Sequence, residues 1–200
     1  MRQERADPRV LRSKATIMDA CAELIAEEGF SGVSIEAVAA RSGAAKTTIY
    51  RHWPSREALC IEAFVACSGS DGRPLPDSGE LREDLITVMW GLAERLNDPA
   101  WTASLTSLVD AASRDAELAE LHRVTVADGR RTLCGVLARA LERGDLEAPL
   151  DIELATAHFA GPIFYRGIIA RETLDESFVA SVVDGALAAL RARSARGAAS

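Results

Sequence analysis

The run SGAAKTTIYRHWPSREAL, residues 42–59, interleaves Lys46, Arg51, His52 and Arg56 with Tyr50 and Trp53. Cations and aromatics mixed in this way suit a polyanion or a structural core. The chain carries a formal net charge of −7 and a sequence pI of about 5.1, so a cationic cluster stands out against it. Thr47 and Thr48 offer hydroxyls and methyls of the kind that read base edges, while Lys46, Arg56 and the Tyr50 hydroxyl suit phosphates. Ser34, at the start of a short helix, adds a hydroxyl and a partial positive charge for another phosphate. Each has a plainer counterpart: Trp53 as a core plug, Arg51 as a solvated charge, Tyr50 with its ring buried.

Elsewhere the chemistry-bearing residues do not assemble. Cys21, Cys60, Cys67 and Cys134 form no C-x-x-C pair and read as buried reduced thiols, and His52, His122 and His158 are dispersed. No metal site or cofactor is expected. An enzyme with its site in the second half is the competing class, but there is no nucleophile elbow and no glycine loop for phosphate. The carboxylates Asp110, Asp115, Glu117 and Glu120 fit helix N-terminal charge and a solvated face. With no membrane-length apolar run and no secretory h-region at the start, a soluble cytoplasmic protein is expected.

The elements that must position the cluster read as all-α, about nine helices in 200 residues. Asp7-Pro8 opens helix one, about 8–28, whose apolar face is Leu11, Ile17, Cys21, Leu24 and Ile25 before Gly29 stops it. Ser34 caps a short helix through Ala40, Gly43 makes a turn, and a second short helix runs from about Ala45 to Trp53. Pro54-Ser55 opens a fourth, to about Cys67. Ala39, Gly43 and Ile49 have helix-turn-helix spacing: a small residue at the crossing, a positive φ at the turn, and an apolar return. The second helix of such a pair exposes Lys46, Thr47, Thr48, Tyr50, Arg51 and His52 on a rod that fits the major groove.

The loop SGSDGRPLPD, residues 68–77, separates this part from a larger helical one. Asp77 and Glu80 have capping-box spacing, Asp98-Pro99 starts another helix, Asp115 a long one to Arg143-Gly144, and Asp151 an eighth, with a kink expected near Gly161 where Pro162 removes a donor. The ninth stripes Phe178, Val179, Val182, Val183, Ala186, Leu187 and Leu190 along one face, near alanines and Gly185. Helices eight and nine carry more apolar face than one small core needs, which points to a subunit interface. Split at residue 60, the two parts carry +1 and −8, a division between an anion-facing front and a soluble rear.

The run SIEAVAARSGAAKTTIYRHWPSREAL closely resembles the DNA-binding segment of the tetracycline-repressor-like (TetR/AcrR) transcriptional regulators. Ser34 stands for the capping threonine, Val38-Ala39 for I-A, Gly43 for the turn glycine, Thr48-Ile49-Tyr50 for T-L-Y, His52-Trp53 for H-F, and Ser55-Arg56-Glu57 for S-K-E. Ala45 departs from the pattern, standing where a serine usually caps the recognition helix. The segment GPIFYR, residues 161–166, is similar to the rear domain of one branch.

The resemblance implies a helix-turn-helix domain over 1–55 and an effector-binding and dimerisation domain over 56–200. It further implies a homodimer paired through its last two helices, reading double-stranded DNA at a palindromic operator. An unidentified small-molecule effector would release it, which makes it a repressor; an activator on the same plan is the alternative. Candidates for the effector pocket are Trp90, Trp101, His122, His158, Phe159 and Tyr165. Candidates for the dimer interface are Phe159, Ile163, Phe178, Val182, Val183, Ala186, Leu187 and Leu190.

Overall fold

The computed structural model describes the backbone of residues 8–68, 74–147 and 149–197, and the side chains of 12–66, 74–147 and 149–192. Arg2, Arg5, Asp7, the side chains of Arg9, Leu11 and Cys67, and the middle of the 68–77 loop lie outside these. All described elements are helical: α1 (Pro8–Gly32), α2 (Ile35–Ser42), α3 (Lys46–His52), α4 (Arg56–Ser68), α5 (Leu81–Asn97), α6 (Pro99–Ala112), α7 (Ala116–Arg143), α8 (Ile152–Phe164), a π-helical segment (Tyr165–Ala170) and α9 (Glu176–Gly197). They fall into two compact units, one from the described parts of 1–70 and 103–125, the other from those of 71–102 and 126–200.

In the first unit α1 buries Ile17, Ala20, Cys21, Leu24 and Ile25, the i, i+3, i+4 face of an amphipathic helix. It breaks at Gly29, whose φ of 75° and ψ of 167° suit glycine alone, and one further turn follows. Helix α4 packs along α1 and buries Leu59, Cys60, Ala63 and Phe64, so it belongs with the helix-turn-helix elements. The Cys21 thiol lies 3.8 Å from that of Cys60, both buried.

The second unit is built on α5, which packs against α8, α9 and the π-helical segment. Its start differs from the capping box expected at Asp77 and Glu80. Glu80 is the cap by backbone only, while the buried carboxylate of Asp84 accepts from both the N–H and the hydroxyl of Ser78, each at 2.8 Å. A buried carboxylate must find donors, and Ser78 supplies two. Asp77 instead pairs with Arg139 at 3.0 Å and Arg143 at 3.5 Å.

The aspartate caps of the later helices are present. Asp98 accepts from the Ala100 N–H at 2.9 Å, Asp115 from Leu118 at 3.0 Å, Asp151 from Leu154 at 3.0 Å and Asp175 from Phe178 at 2.8 Å. α8 keeps its α form through Gly161 and Pro162, and the irregularity comes after them, as the π-helical segment, which is capped by Arg171 at φ 56°. Gly167 within it sits where a Cβ would meet Leu174 at 3.2 Å and Leu96 at 3.3 Å. Asn97 closes the end of α5 by donating to the Leu174 carbonyl at 2.7 Å and accepting its N–H at 3.0 Å.

Candidate nucleic-acid interface

The geometry of the cluster begins with two caps. Ser34 Oγ accepts from the Ala37 N–H at 3.1 Å and fixes the start of α2, leaving its hydroxyl hydrogen to donate outward. Gly43, at φ 70°, turns the chain between α2 and α3. α3 starts without a side-chain cap: Ala45 contributes only its carbonyl, to the N–H groups of Thr48 at 2.8 Å and Ile49 at 3.3 Å. The helix is held by packing instead, with Ile49 and Val38 wholly buried and Trp53 nearly so.

Burying that side turns the opposite one outward. Lys46, Thr47 and Arg51 are exposed, Thr48 is half-buried, and Tyr50 keeps 54% of its surface accessible. His52 is half-buried, its ring edge-on to Trp53 at 5.6 Å between centroids. Trp53 is a core residue whose Nε1–H donates to Glu62 at 2.6 Å. Glu62 also pairs with Lys14 at 2.6 Å, and the hydrogen bond from that lysine is the main cause holding its carboxyl below the usual range.

Most cations of this unit are engaged within the chain. Arg41 pairs with Glu27 at 2.7 Å. Lys46 pairs with Glu36 at 2.5 Å, and that bond holds the Glu36 carboxyl below its ordinary value. Arg56, expected on a phosphate, turns inward: Nη1 donates to the Phe30 carbonyl at 2.6 Å and the Val33 carbonyl at 3.3 Å, while Nε donates to Glu57 at 2.8 Å. Both carbonyls belong to buried residues, so they attract the guanidinium more than solvent does. Arg51 makes no ion pair among the described residues.

Glu36 was not legible as a functional residue, although its place in the first turn of α2 sets it beside the start of α3 once the two helices cross. A phosphate approaching Lys46 would compete with this exposed carboxylate for the ammonium. Glu36→Gln is therefore expected to bind DNA a few-fold more tightly, with a salt slope steeper by up to about one. Affinity titrations over a range of salt concentrations check this; unchanged affinity and slope would mean that the pair does not compete.

The expected pocket residues differ in their surroundings. Phe159 has no exposed surface and is core, and Tyr165 is 63% exposed on the π-helical segment. Phe159 is spent on the unit's own packing, while Tyr165 stands outside at the start of the π-helical segment. Trp90 is half-buried, and Trp101 lies with the Arg95 guanidinium 6.0 Å from its ring. His122 is half-buried in the first unit, the other five being in the second. His158 lines an open hollow of about 280 Å³ with Pro162, Ser181, Val182, Gly185, Ala186 and Ala189.

The expected interface residues are largely spent inside the protomer. Ile163 and Val183 have no accessible surface, and Ala186, Leu187 and Leu190 are buried. Phe178 is half-covered by the Arg166 guanidinium, 4.3 Å from its ring centroid, and Val182 remains partly exposed. The exposed residues of α8 and α9 include Gly161, Pro162, Ser181, Gly185 and Ala189 as well as the larger Phe164, and a Cβ added at Gly161 or Gly185 would meet nothing within 4 Å. Among the described residues no group of His, Cys, Asp and Glu is placed to hold a metal ion, and no helix is long and apolar enough to cross a membrane.

Comparison with known proteins follows this division. Residues 17–63 match the family described as bacterial regulatory proteins, tetR family, and residues 75–186 match the tetracyclin repressor-like C-terminal domain. The chain is 32% identical over 196 residues to the HTH-type transcriptional regulator YdeS of Bacillus subtilis (strain 168), covering 98% of each chain. It is 30% identical over 178 residues to the DNA-binding transcriptional repressor TetR of Mycobacteroides abscessus, covering 88% of this chain and 92% of that one. Among solved structures, the TetR family transcription regulator SCO0332 superposes with a TM-score of 0.66 at 30% identity, covering 88% of this chain and 97% of that one.

Proposed function

The chain belongs to the tetR family of bacterial regulatory proteins, a DNA-binding transcriptional regulator and not an enzyme, and we propose that it is a repressor. In this reading a homodimer binds a palindromic operator in the cytoplasm and a small-molecule effector releases it. The observation that carries the reading is the two-sided build of α3: Ile49 and Trp53 locked inward, Lys46, Thr47, Tyr50 and Arg51 turned out. A short rod with donors along one side and a fixed back suits the major groove.

Lys46, Tyr50 and Ser34 hold phosphates and set the register, and Thr47 and Thr48 read base edges, with Arg51 and His52 beside them. Arg56 serves the fold. Pairing uses the outward side of α8 and α9, where Pro162, Val182, Gly185 and Ala189 let a second copy approach closely. Two recognition helices then read two half-sites only when their spacing matches, and an effector that prefers the mismatched state releases the operator by linkage.

The test is selection of sites from a random DNA library by the purified protein, with affinity followed against salt. An inverted repeat with a steep salt slope is expected. Replacing Lys46 and Tyr50 should then weaken binding across all selected sites and flatten the slope, while Thr47→Ala or Thr48→Ala should change base preference. The same effect from both groups would undo the division of roles, and enrichment of no sequence by a ligand-free dimer would undo the function.

A further inference from the structure

The corner between α1 and α2 is closed by two helices from elsewhere in the chain. Beyond the break at Gly29, the Phe30 N–H donates to Oγ of Ser107 on α6 at 2.7 Å. The carbonyl of the same residue accepts from Arg56, the first residue of α4, at 2.6 Å. Its ring is buried 5.6 Å from that of Phe64, further along α4. One residue is thus tied by its N–H to α6 and by its carbonyl and side chain to α4.

The fit at this corner is close. A Cβ on Gly29 would come within 2.7 Å of Ser107 Oγ, at a φ of 75° that other residues avoid. Phe30 is buried, so its N–H must find an acceptor inside the protein, and the acceptor is a side chain on a helix more than seventy residues away in sequence. The position of the corner is therefore set by α6 as well as by α1.

We infer that Ser107 is a positioning residue for DNA reading. Its hydrogen bond is to Phe30 and not to a candidate DNA contact, yet α2 begins at Ile35, just after the tied corner, and α3 packs on α2. A tie at Phe30 fixes the pair of helices to α6 and so sets the angle at which α3 meets the groove. Ser107 lies within 75–186, the stretch similar to the C-terminal domain, while its contacts are in the unit that carries α1 to α4. The inference rests on the proposed reading of paired half-sites, because a shift in angle is read out as a tolerance for altered spacing.

The experiment compares wild type, Ser107→Ala and Ser107→Thr. Each is measured on the selected inverted repeat and on versions with the half-sites one base pair closer or further apart, and Phe30 amide exchange is followed in parallel. Ser107→Ala is expected to speed Phe30 exchange about tenfold, the effect of leaving one buried donor unpaired. It should shrink the discrimination between spacings by a similar factor, with base preference inside each half-site unchanged. Ser107→Thr, which keeps a hydroxyl, should restore both.

If Ser107→Ala lowers thermal stability and the active fraction but leaves spacing discrimination intact, Ser107 is only structural and the inference fails. Failure of Ser107→Thr to restore discrimination overturns it too. A wild type indifferent to spacing refutes the paired half-sites instead. The tie is then judged on Phe30 exchange and affinity for a single half-site, and it fails if neither moves in Ser107→Ala.

Discussion

Arg56→Ala is expected to lower the free energy of unfolding by roughly 3 kcal/mol while leaving the salt slope of DNA binding unchanged. The guanidinium satisfies the Phe30 carbonyl at 2.6 Å and reaches the Val33 carbonyl at 3.3 Å, and both residues are buried. A charged donor to a buried acceptor is worth about 1.5–3 kcal/mol, and its loss strands an acceptor that water cannot easily reach. Glu57, beside it at 2.7 Å, loses its cation as well. Its carboxyl is held low first by its own backbone N–H and also by Arg56, so it should move back toward its ordinary value in the variant. Arg56→Lys keeps the charge without the fork that serves two partners, and an intermediate loss is expected.

Two measurements separate the roles: denaturant unfolding for stability, and operator affinity against salt, taken where the variant remains folded. A phosphate-bound Arg56 would give the opposite pair of results, near-normal stability with a slope shallower by about one.

Arg56 also shows where sequence reasoning stops. The spacing of Ala39, Gly43 and Ile49 fixed the crossing of two helices, and a basic residue shortly after it suits a phosphate. Nothing in spacing says which way a guanidinium turns, and here the nearer acceptors are carbonyls brought in by the break at Gly29. The helices themselves were legible for a local reason. Ser34, Asp98, Asp115 and Asp151 each bond an N–H within three residues, so their effect is written in adjacent positions.

What escaped was non-local or depended on a choice between faces. Ser78 bonding Asp84 displaced the capping box read at Asp77 and Glu80. Ser107 meets Phe30 only through tertiary packing. In α9 the apolar stripe was visible, but periodicity groups residues on a face without saying what covers it. Val183 and Leu187 turned out to be covered by the protomer.

That choice of faces makes Gly185 the sharper test of pairing. With Val179, Val183 and Leu187 turned inward, the outward side of α9 offers Ser181, Val182, Gly185 and Ala189 around the hollow that His158 and Pro162 share. A Cβ at Gly185 would meet nothing within 4 Å in its own chain, so a side chain can start there without a clash, and an arginine places a charge where the proposed second copy packs. Gly185→Arg is expected to shift the protein from dimer to monomer in sedimentation and to remove the concentration dependence of its melting temperature. Affinity for the inverted repeat should fall about 10²–10⁴-fold, the contribution of tethering two half-site readers, while binding to a single half-site persists.

Gly129→Arg supplies the control, since Gly129 on α7 is equally open in the protomer and adds the same charge on a different helix. Dimerisation lost in both variants would mean that charge alone is responsible. A Gly185→Arg protein that stays dimeric and holds the inverted repeat as before would place the pairing surface on another face. In that case the small residues around the hollow would need a different occupant to account for them.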